Sequence, residues 1–150
     1  MQSVFLALLL VFLQAAVITP TAADHGYAVN ILEIRHPWAR PLPPTAKNGA
    51  AFLTITNQGN QDDHLVGAYT EIADSVEVHH HVHENGMMKM RKLEALAIPP
   101  GKTVVFESGG LHLMLMGLNK PLTEGESFNL ELIFEIAGRI AVTVDIESLR

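Results

Sequence analysis

The stretch Leu111-His112-Leu113-Met114-Leu115-Met116 alternates leucine with histidine or methionine. Because successive side chains of a β-strand point to opposite faces, this pattern predicts a strand whose leucines face a core. His112, Met114 and Met116 would then share the other face, where an imidazole and a thioether two residues apart can bind one ion. Methionine is most often core filler, but here leucine already occupies the core face.

Similar alternation recurs along the chain, separated by turn signals rich in glycine, proline and asparagine. It is found in the ranges 50–56, 76–82, 128–134 and 140–146. The last two ranges are expected to form an antiparallel pair that turns at Ala137-Gly138. No stretch after the first residues shows a sustained helical period bounded by caps. The sequence therefore predicts an all-β fold, a Greek-key sandwich or barrel.

The first residues have a different character. Val4 to Leu13 is an uncharged apolar run, and it is shorter than the roughly twenty residues that a membrane span needs. Small residues then place a cleavage site after Ala23, although no Lys or Arg precedes the run. We predict a cleaved export signal at 1–23, in preference to an uncleaved anchor. The β domain at 24–150 would be periplasmic or otherwise extracytoplasmic, with no stable membrane insertion.

Composition excludes several classes of function. The chain has 150 residues, a net charge of −6, no basic run and no cysteine. Nucleic-acid binding depends mainly on clustered Lys and Arg, so a nucleic-acid partner is excluded. No Walker or Rossmann glycine pattern is present. Without cysteine, the fold has no disulfide and a metal site has no thiolate.

Four candidate metal ligands stand at defined intervals. His79 is followed after ten residues by Met90, then after twenty-one residues by His112, with Met114 one residue beyond. Thioether sulfur is a soft, neutral donor that favours Cu(I) over zinc, calcium or magnesium. Spacing alone leaves a Cu(I) site and ordinary structural roles about equally supported.

The histidines around His79 leave the pairing of this segment open. His79, His81 and His83 share one face of the predicted strand, whereas His80 falls on the valine face, where we expect it to be partly buried. Such a run also has a simpler interpretation as a solvated patch that binds metals loosely. Asn85-Gly86 is a strong hairpin signal. A strict two-residue turn would place His81 opposite Met90.

The same turn would put Lys89 and Arg91 on the valine face, which is unfavourable if that face is buried. We therefore expect a bulge or a longer loop here.

Four segments of the chain carry a resemblance to a known family. They are Trp38-Ala-Arg40, then Asn48-Gly-Ala-Ala-Phe-Leu-Thr-Ile-Thr-Asn57, then Glu77-Val-His79 through Asn85-Gly-Met-Met-Lys-Met-Arg91, and last Gly109-Gly-Leu-His-Leu-Met-Leu-Met-Gly-Leu118. Together they resemble the PCu(A)C family of extracytoplasmic copper chaperones. The family signature is His, ten residues, Met, twenty-one residues, His-X-Met, and the chain meets every interval.

The resemblance implies Cu(I) ligands His79, Met90, His112 and Met114, with His81, His83 and Met116 as candidate auxiliary ligands. It implies a cupredoxin-like or immunoglobulin-like fold. It also implies copper delivery to the CuA centre of cytochrome c oxidase subunit II, alongside Sco-type thioredoxin-like proteins. The extra histidines leave open which imidazole binds Cu(I) and whether a secondary His-rich site takes Cu(II).

Other functions are less well supported. A blue-copper electron carrier requires a cysteine thiolate, which the chain lacks. No nucleophile elbow or carboxylate–His–Ser set indicates a hydrolase, and we expect the protein not to be an enzyme, although a copper oxidase or monooxygenase needs only histidine ligands. A periplasmic sequestration or storage protein would use the same ligands without a specific acceptor.

Overall fold

A computed structural model describes residues 27–29 and 31–148. The secondary structure of this part is β throughout, with strands β1 (Tyr27–Val29), β2 (Leu32–Ala39), β3 (Asn48–Asn57), β4 (Asp63–Tyr69), β5 (Ala73–Glu84), β6 (Met87–Leu93), β7 (Leu96–Ile98), β8 (Thr103–Val105), β9 (Leu111–Leu118), β10 (Ser127–Phe134) and β11 (Gly138–Ile146). Across these residues no helix is long and apolar enough to cross a bilayer. The predicted export signal at 1–23 lies outside the described residues, and the domain bounds 24–150 stay a prediction.

Seven of the strands close into a barrel. The order around it is β2, β11, β10, β4, β5, β9 and β3, and β3 pairs with β2 to complete the ring. Six of the seven junctions are antiparallel, whereas β11 meets β2 in parallel at Asp145–Trp38 and Ile146–Ala39. Strands β1, β6, β7 and β8 add to this ring at its sides. The predicted all-β barrel is confirmed.

The alternation of the strands places aliphatic side chains inside. Leu113 and Leu115 of β9 are fully buried, and Val78 of β5 packs with them in the core. Strands β10 and β11 form the predicted antiparallel pair, closing at Phe134–Gly138. The leucines of β9 therefore face the core as predicted, which leaves the alternate residues of that strand on the outer face of the barrel.

The hairpin of β5 and β6 differs from our expectation. Its turn is a strict two-residue turn, with Glu84 opposite Met87 and both Asn85 (φ 51°) and Gly86 (φ 77°) in the left-handed region. Such torsion angles are those of the type I′ turn that matches the twist of a hairpin. The expected bulge or longer loop was wrong.

Solvent exposure explains why this register is tolerated. Strand β9 accompanies β5 only as far as the pair His80–Leu111, so the hairpin projects beyond the barrel core. Lys89 and Arg91 are exposed there, and both pair with the carboxylate of Glu84. The face of β5 that carries buried Val78 inside the barrel is exposed to solvent where the hairpin leaves the barrel. His80 is exposed on this face, whereas we predicted it to be partly buried.

Candidate metal centre

Strands β6, β5, β9 and β3 lie side by side and carry the candidate ligands on one outer surface. His79 is directly opposite His112, and His81 is directly opposite Met90. Met114 is paired across β9 with Glu77 on one side and Ala50 on the other. Opposed residues in antiparallel strands have Cβ atoms about 5 Å apart. Residues far apart in sequence are thus neighbours because of strand register.

A half-open cavity of about 300 Å³ lies over this surface. Four of the candidate ligands line it, namely His81, Met90, His112 and Met114. The other lining residues are Arg40, Leu42, Asn48, Gly49, Ala50, Phe52, Ser108 and Gly109. Arg40 is the one charged residue among the described residues that line it. The cavity therefore offers two imidazoles and two thioethers within largely apolar walls, and His79 lies beside it.

His112 occupies the inner wall of this cavity. Its side chain is almost enclosed, at 5% exposure, and its Nδ1 donates a hydrogen bond to the carbonyl oxygen of Gly110 at 3.2 Å. That hydrogen bond fixes the tautomer and leaves the lone pair on Nε2. The rings of His81 and His79 lie 5.1 Å and 5.7 Å from the His112 ring, centre to centre.

A carboxylate orients His79. Its Nε2 lies 2.8 Å from Oε2 of Glu77, whose other oxygen is 3.4 Å from the Lys92 ammonium. The hydrogen bond from His79 holds the pKa of Glu77 below its usual value; burial opposes this shift and the charge of Lys92 adds to it. An ionised carboxylate only accepts hydrogen bonds, so Nε2 of His79 carries the hydrogen and Nδ1 carries the lone pair.

Two imidazole nitrogen atoms that make no hydrogen bond are suited to binding a metal ion. Nδ1 of His79 and Nδ1 of His81 are buried and have no hydrogen-bond partner. A buried polar atom without a partner is costly, and a bound ion is one of the ways in which a native fold satisfies it, together with ordered water. Within the described part of the chain, no group of three or more His, Cys, Asp or Glu side chains is arranged to hold a metal. The thioethers of methionine would have to complete such a site.

Methionine usage supports that interpretation. The chain has six methionines, and the five after Met1 lie on β6 or β9 at positions 87, 88, 90, 114 and 116. Methionine usually fills cores, yet all five are exposed or only partly buried. The core is built instead from other apolar residues. These sulfur atoms therefore remain accessible on the outer surface.

The auxiliary candidates fall into different places. His81 lies in the cavity, as described above. His83 is opposite Met88 near the hairpin tip and is exposed. Met116 is paired with Ser75 and Asn48, one strand repeat beyond Met114, and does not line the cavity. The structure thus brings His81 to the candidate ligands and leaves His83 and Met116 apart from them.

An aromatic wall was not predicted as part of the site. Trp38 and Phe52 are buried against each other, with ring centres 4.7 Å apart, but they stand outside the main core cluster. Phe52 and Arg40 also line the cavity. The signal was the alternation of β3, which places Phe52 on the face opposite to its core residues Leu53 and Ile55. Sequence reasoning assigned no chemistry to Trp38 or Arg40.

Burial of His112 predicts a pH-dependent stability. Desolvation lowers the pKa of His112, helped by the nearby charges that His81 and His79 acquire and opposed by the hydrogen bond to Gly110. In the unfolded chain the imidazole takes up a proton near its ordinary pKa of about 6.5, while the folded form stays neutral. The free energy of unfolding of metal-free protein should therefore fall as pH drops below that value. His112 contributes at most about 1.4 kcal/mol per pH unit, until the lowered pKa is passed.

Urea unfolding at a series of pH values between 7.5 and 5 measures this dependence. His112→Gln should flatten it, whereas His80→Gln, which changes an exposed histidine of the neighbouring strand, should leave it unchanged. Equal slopes in the parent and in His112→Gln would contradict the assignment.

Comparison with known proteins supports these observations. The family model described as lipoprotein LpqE-like matches residues 32–146. A protein of Leifsonia xyli subsp. xyli (strain CTCB07) named as a lipoprotein, Lxx21020, is 31% identical over 145 residues, covering 94% of this chain and 85% of that protein.

Two solved structures are also similar. The copper-bound PCuAC domain from PmoF2 is 26% identical with a TM-score of 0.71, covering 83% of this chain and 99% of that domain. The solution structure of CuI-DR1885 from Deinococcus radiodurans is 31% identical with a TM-score of 0.64, covering 82% and 80% of the two chains. Together with the His–Met spacing and the barrel, these matches show that the chain belongs to the LpqE-like, or PCu(A)C, family and has its cupredoxin-like fold.

Proposed function

We propose that this protein is an extracytoplasmic Cu(I) chaperone that binds one copper ion in the cavity and passes it to a cuproprotein. The observation that carries the proposal is the meeting of unpartnered imidazole nitrogens with two thioethers. Nδ1 of His79 lacks a partner, Nε2 of His112 is left free by the Gly110 hydrogen bond, and Met90 and Met114 line the same cavity. The proposed ligands are His79, Met90, His112 and Met114.

The donor set suits a metal that must later be released. Imidazole and thioether are neutral, and thioether prefers Cu(I) to harder ions. A thiolate acceptor binds Cu(I) more strongly, so transfer to it is favourable. Glu77 would act on the site as carboxylates commonly do on metal-bound histidines, by accepting a hydrogen bond from the nitrogen that does not bind the metal.

The family supports copper as the cargo. The PmoF2 domain is described as copper-bound and the DR1885 structure as the CuI form. We extend Cu(I) binding to this chain because His81, Met90, His112 and Met114 line its own cavity and His79 lies directly opposite His112. Among the described residues we find no nucleophile and general base placed together at a substrate cavity. We therefore propose a carrier rather than an enzyme.

Exposure of Met90 suits delivery. Its side chain is 53% exposed, whereas His112 lies on the inner wall, so an acceptor can reach the copper from the side of β6. We propose the CuA centre of cytochrome c oxidase subunit II as the destination, with a Sco-type thioredoxin-like protein as a further partner. The export signal proposed at 1–23 would place the domain in the periplasm.

Sequestration or storage without a specific acceptor is the alternative. We expect Cu(I) to leave the loaded protein for the reduced, copper-free soluble domain of subunit II, because that acceptor supplies thiolates. Separating the two proteins anaerobically and measuring copper in each tests this outcome. A subunit II domain whose copper-binding cysteines are replaced by serine is the control. Copper that stays with this protein in both mixtures would favour storage.

A secondary Cu(II) site in the histidine run would be restricted by the strand. His81 and His83 share a face of β5 two residues apart, whereas His80 lies on the opposite face. Such a site would therefore use His81 and His83 and exclude His80.

The thioethers provide the sharpest test of Cu(I) binding. We expect Met90→Leu/Met114→Leu to weaken binding of the first Cu(I) equivalent by more than about a hundredfold, because leucine keeps the volume and removes the sulfur. Anaerobic titration against a chromophoric Cu(I) competitor measures the affinity. Met87→Leu/Met116→Leu is the matched control, since both residues lie outside the cavity lining. Unchanged affinity in the cavity variant would contradict the proposed site.

The choice between His79 and His81 needs its own comparison. We expect His79→Gln to lower the Cu(I) affinity at least about tenfold more than His81→Gln, because the hydrogen bond to Glu77 holds the His79 ring with its Nδ1 free. The same competitor titration measures both variants. The reverse order would remove His79 from the ligand set and assign its place to His81, which lies opposite Met90.

A further inference from the structure

The hairpin tip carries a second imidazole–thioether pair outside the cavity. His83 of β5 is directly opposite Met88 of β6, one strand repeat beyond the pair His81–Met90. The two-residue turn at Asn85-Gly86 fixes this register, so the pair does not depend on a flexible loop. Opposed side chains in an antiparallel pair stand about 5 Å apart at Cβ, within reach of one shared ion.

The two pairs lie on the same face of the hairpin. Residues 81 and 83 alternate on β5, as do residues 88 and 90 on β6, and successive side chains of a strand point to opposite faces. His83–Met88 and His81–Met90 therefore form a short ladder. One strand repeat is about 7 Å, so the ladder leads from the tip of the hairpin to the mouth of the cavity.

Charge on this part of the hairpin is confined to the other face. Lys89 and Arg91 lie on that face and are paired with Glu84. The cavity face carries only neutral donors between positions 81 and 83 and between 88 and 90. A monovalent soft cation at His83–Met88 would therefore meet neutral nitrogen and sulfur donors, the type that favours Cu(I).

The solvent exposure of His83 and Met88 shows that this pair is not part of the core packing. Met88 is 53% exposed and His83 is exposed, so neither contributes to the core. Met87, the adjacent residue, is 58% exposed but points to the charged face opposite Glu84. The chain thus provides two neighbouring methionines of similar exposure, of which only one faces a histidine.

We propose that His83 and Met88 form an outer, weaker Cu(I) site from which copper reaches the cavity by ligand exchange along His81 and Met90. The exchange involves no change in oxidation state, since each step replaces one neutral donor by another. This inference rests on the proposed Cu(I) function and adds a second site to it.

Anaerobic Cu(I) titration of methionine-methyl-labelled protein tests the proposal. We expect the first equivalent to shift the ¹³C signals of Met90 and Met114 and a second, weaker equivalent to shift Met88 but not Met87. Met88→Leu and His83→Gln should each weaken the second equivalent by more than about tenfold and leave the first unchanged. Met87→Leu should leave both equivalents unchanged.

The outcomes separate this inference from the proposed function. A protein that binds the first equivalent and no second one would overturn the outer site alone. The same conclusion follows if Met87→Leu weakens the second equivalent as much as Met88→Leu. Failure to bind even the first equivalent in the cavity would overturn the proposed function as well.

Discussion

The pleat of the antiparallel pair β5–β9 is the constraint on which the rest of the structure depends. It sends Val78, Leu113 and Leu115 into the barrel and leaves His79 and His112 facing each other outside. The same backbone geometry therefore builds both the hydrophobic core and the candidate metal centre, because alternate residues of these strands point to opposite faces. A slip of one residue would bury the imidazoles and expose the leucines, so burial of the core also fixes the register of the site.

The sequence predicted the elements of this arrangement better than their pairing. Alternation identified β9, β3 and the pair β10–β11, because each strand has one side of aliphatic residues. The β5–β6 register was misjudged because local pattern does not show where a strand leaves the core, and Lys89 and Arg91 are harmless once it has done so. His81 was an auxiliary candidate, and the alternation of β3 turns Phe52 away from the core. That both line one cavity follows from the side-by-side pairing of β5, β9 and β3, which local pattern does not show. The export signal and the ligand set itself remain predictions.

In the absence of a ligand, the site lowers the stability of the folded state. Nδ1 of His79 and Nδ1 of His81 are buried without partners, and His112 is enclosed as a neutral base. Each of the two unpartnered nitrogen atoms opposes folding by about 1–3 kcal/mol, the cost of leaving a buried hydrogen-bonding atom unsatisfied. With no cysteine to form a disulfide, the barrel's aliphatic core offsets these costs unaided. A ligand that satisfies the nitrogen atoms would stabilise the fold by an amount that grows with the logarithm of its affinity.

The candidate ligands are divided between two parts of the molecule that differ in how they are held. His112 and Met114 belong to β9, which pairs with β3 on one side and β5 on the other, whereas Met90 belongs to β6, which among the described strands pairs with β5 alone. Fraying of β6 would break few buried contacts, so its amide hydrogens should exchange with solvent faster than those of β9. Local opening of β6 would move the Met90 thioether away from the other candidate ligands while the barrel stays folded. The candidate metal centre can thus lose one of its proposed ligands without any global unfolding.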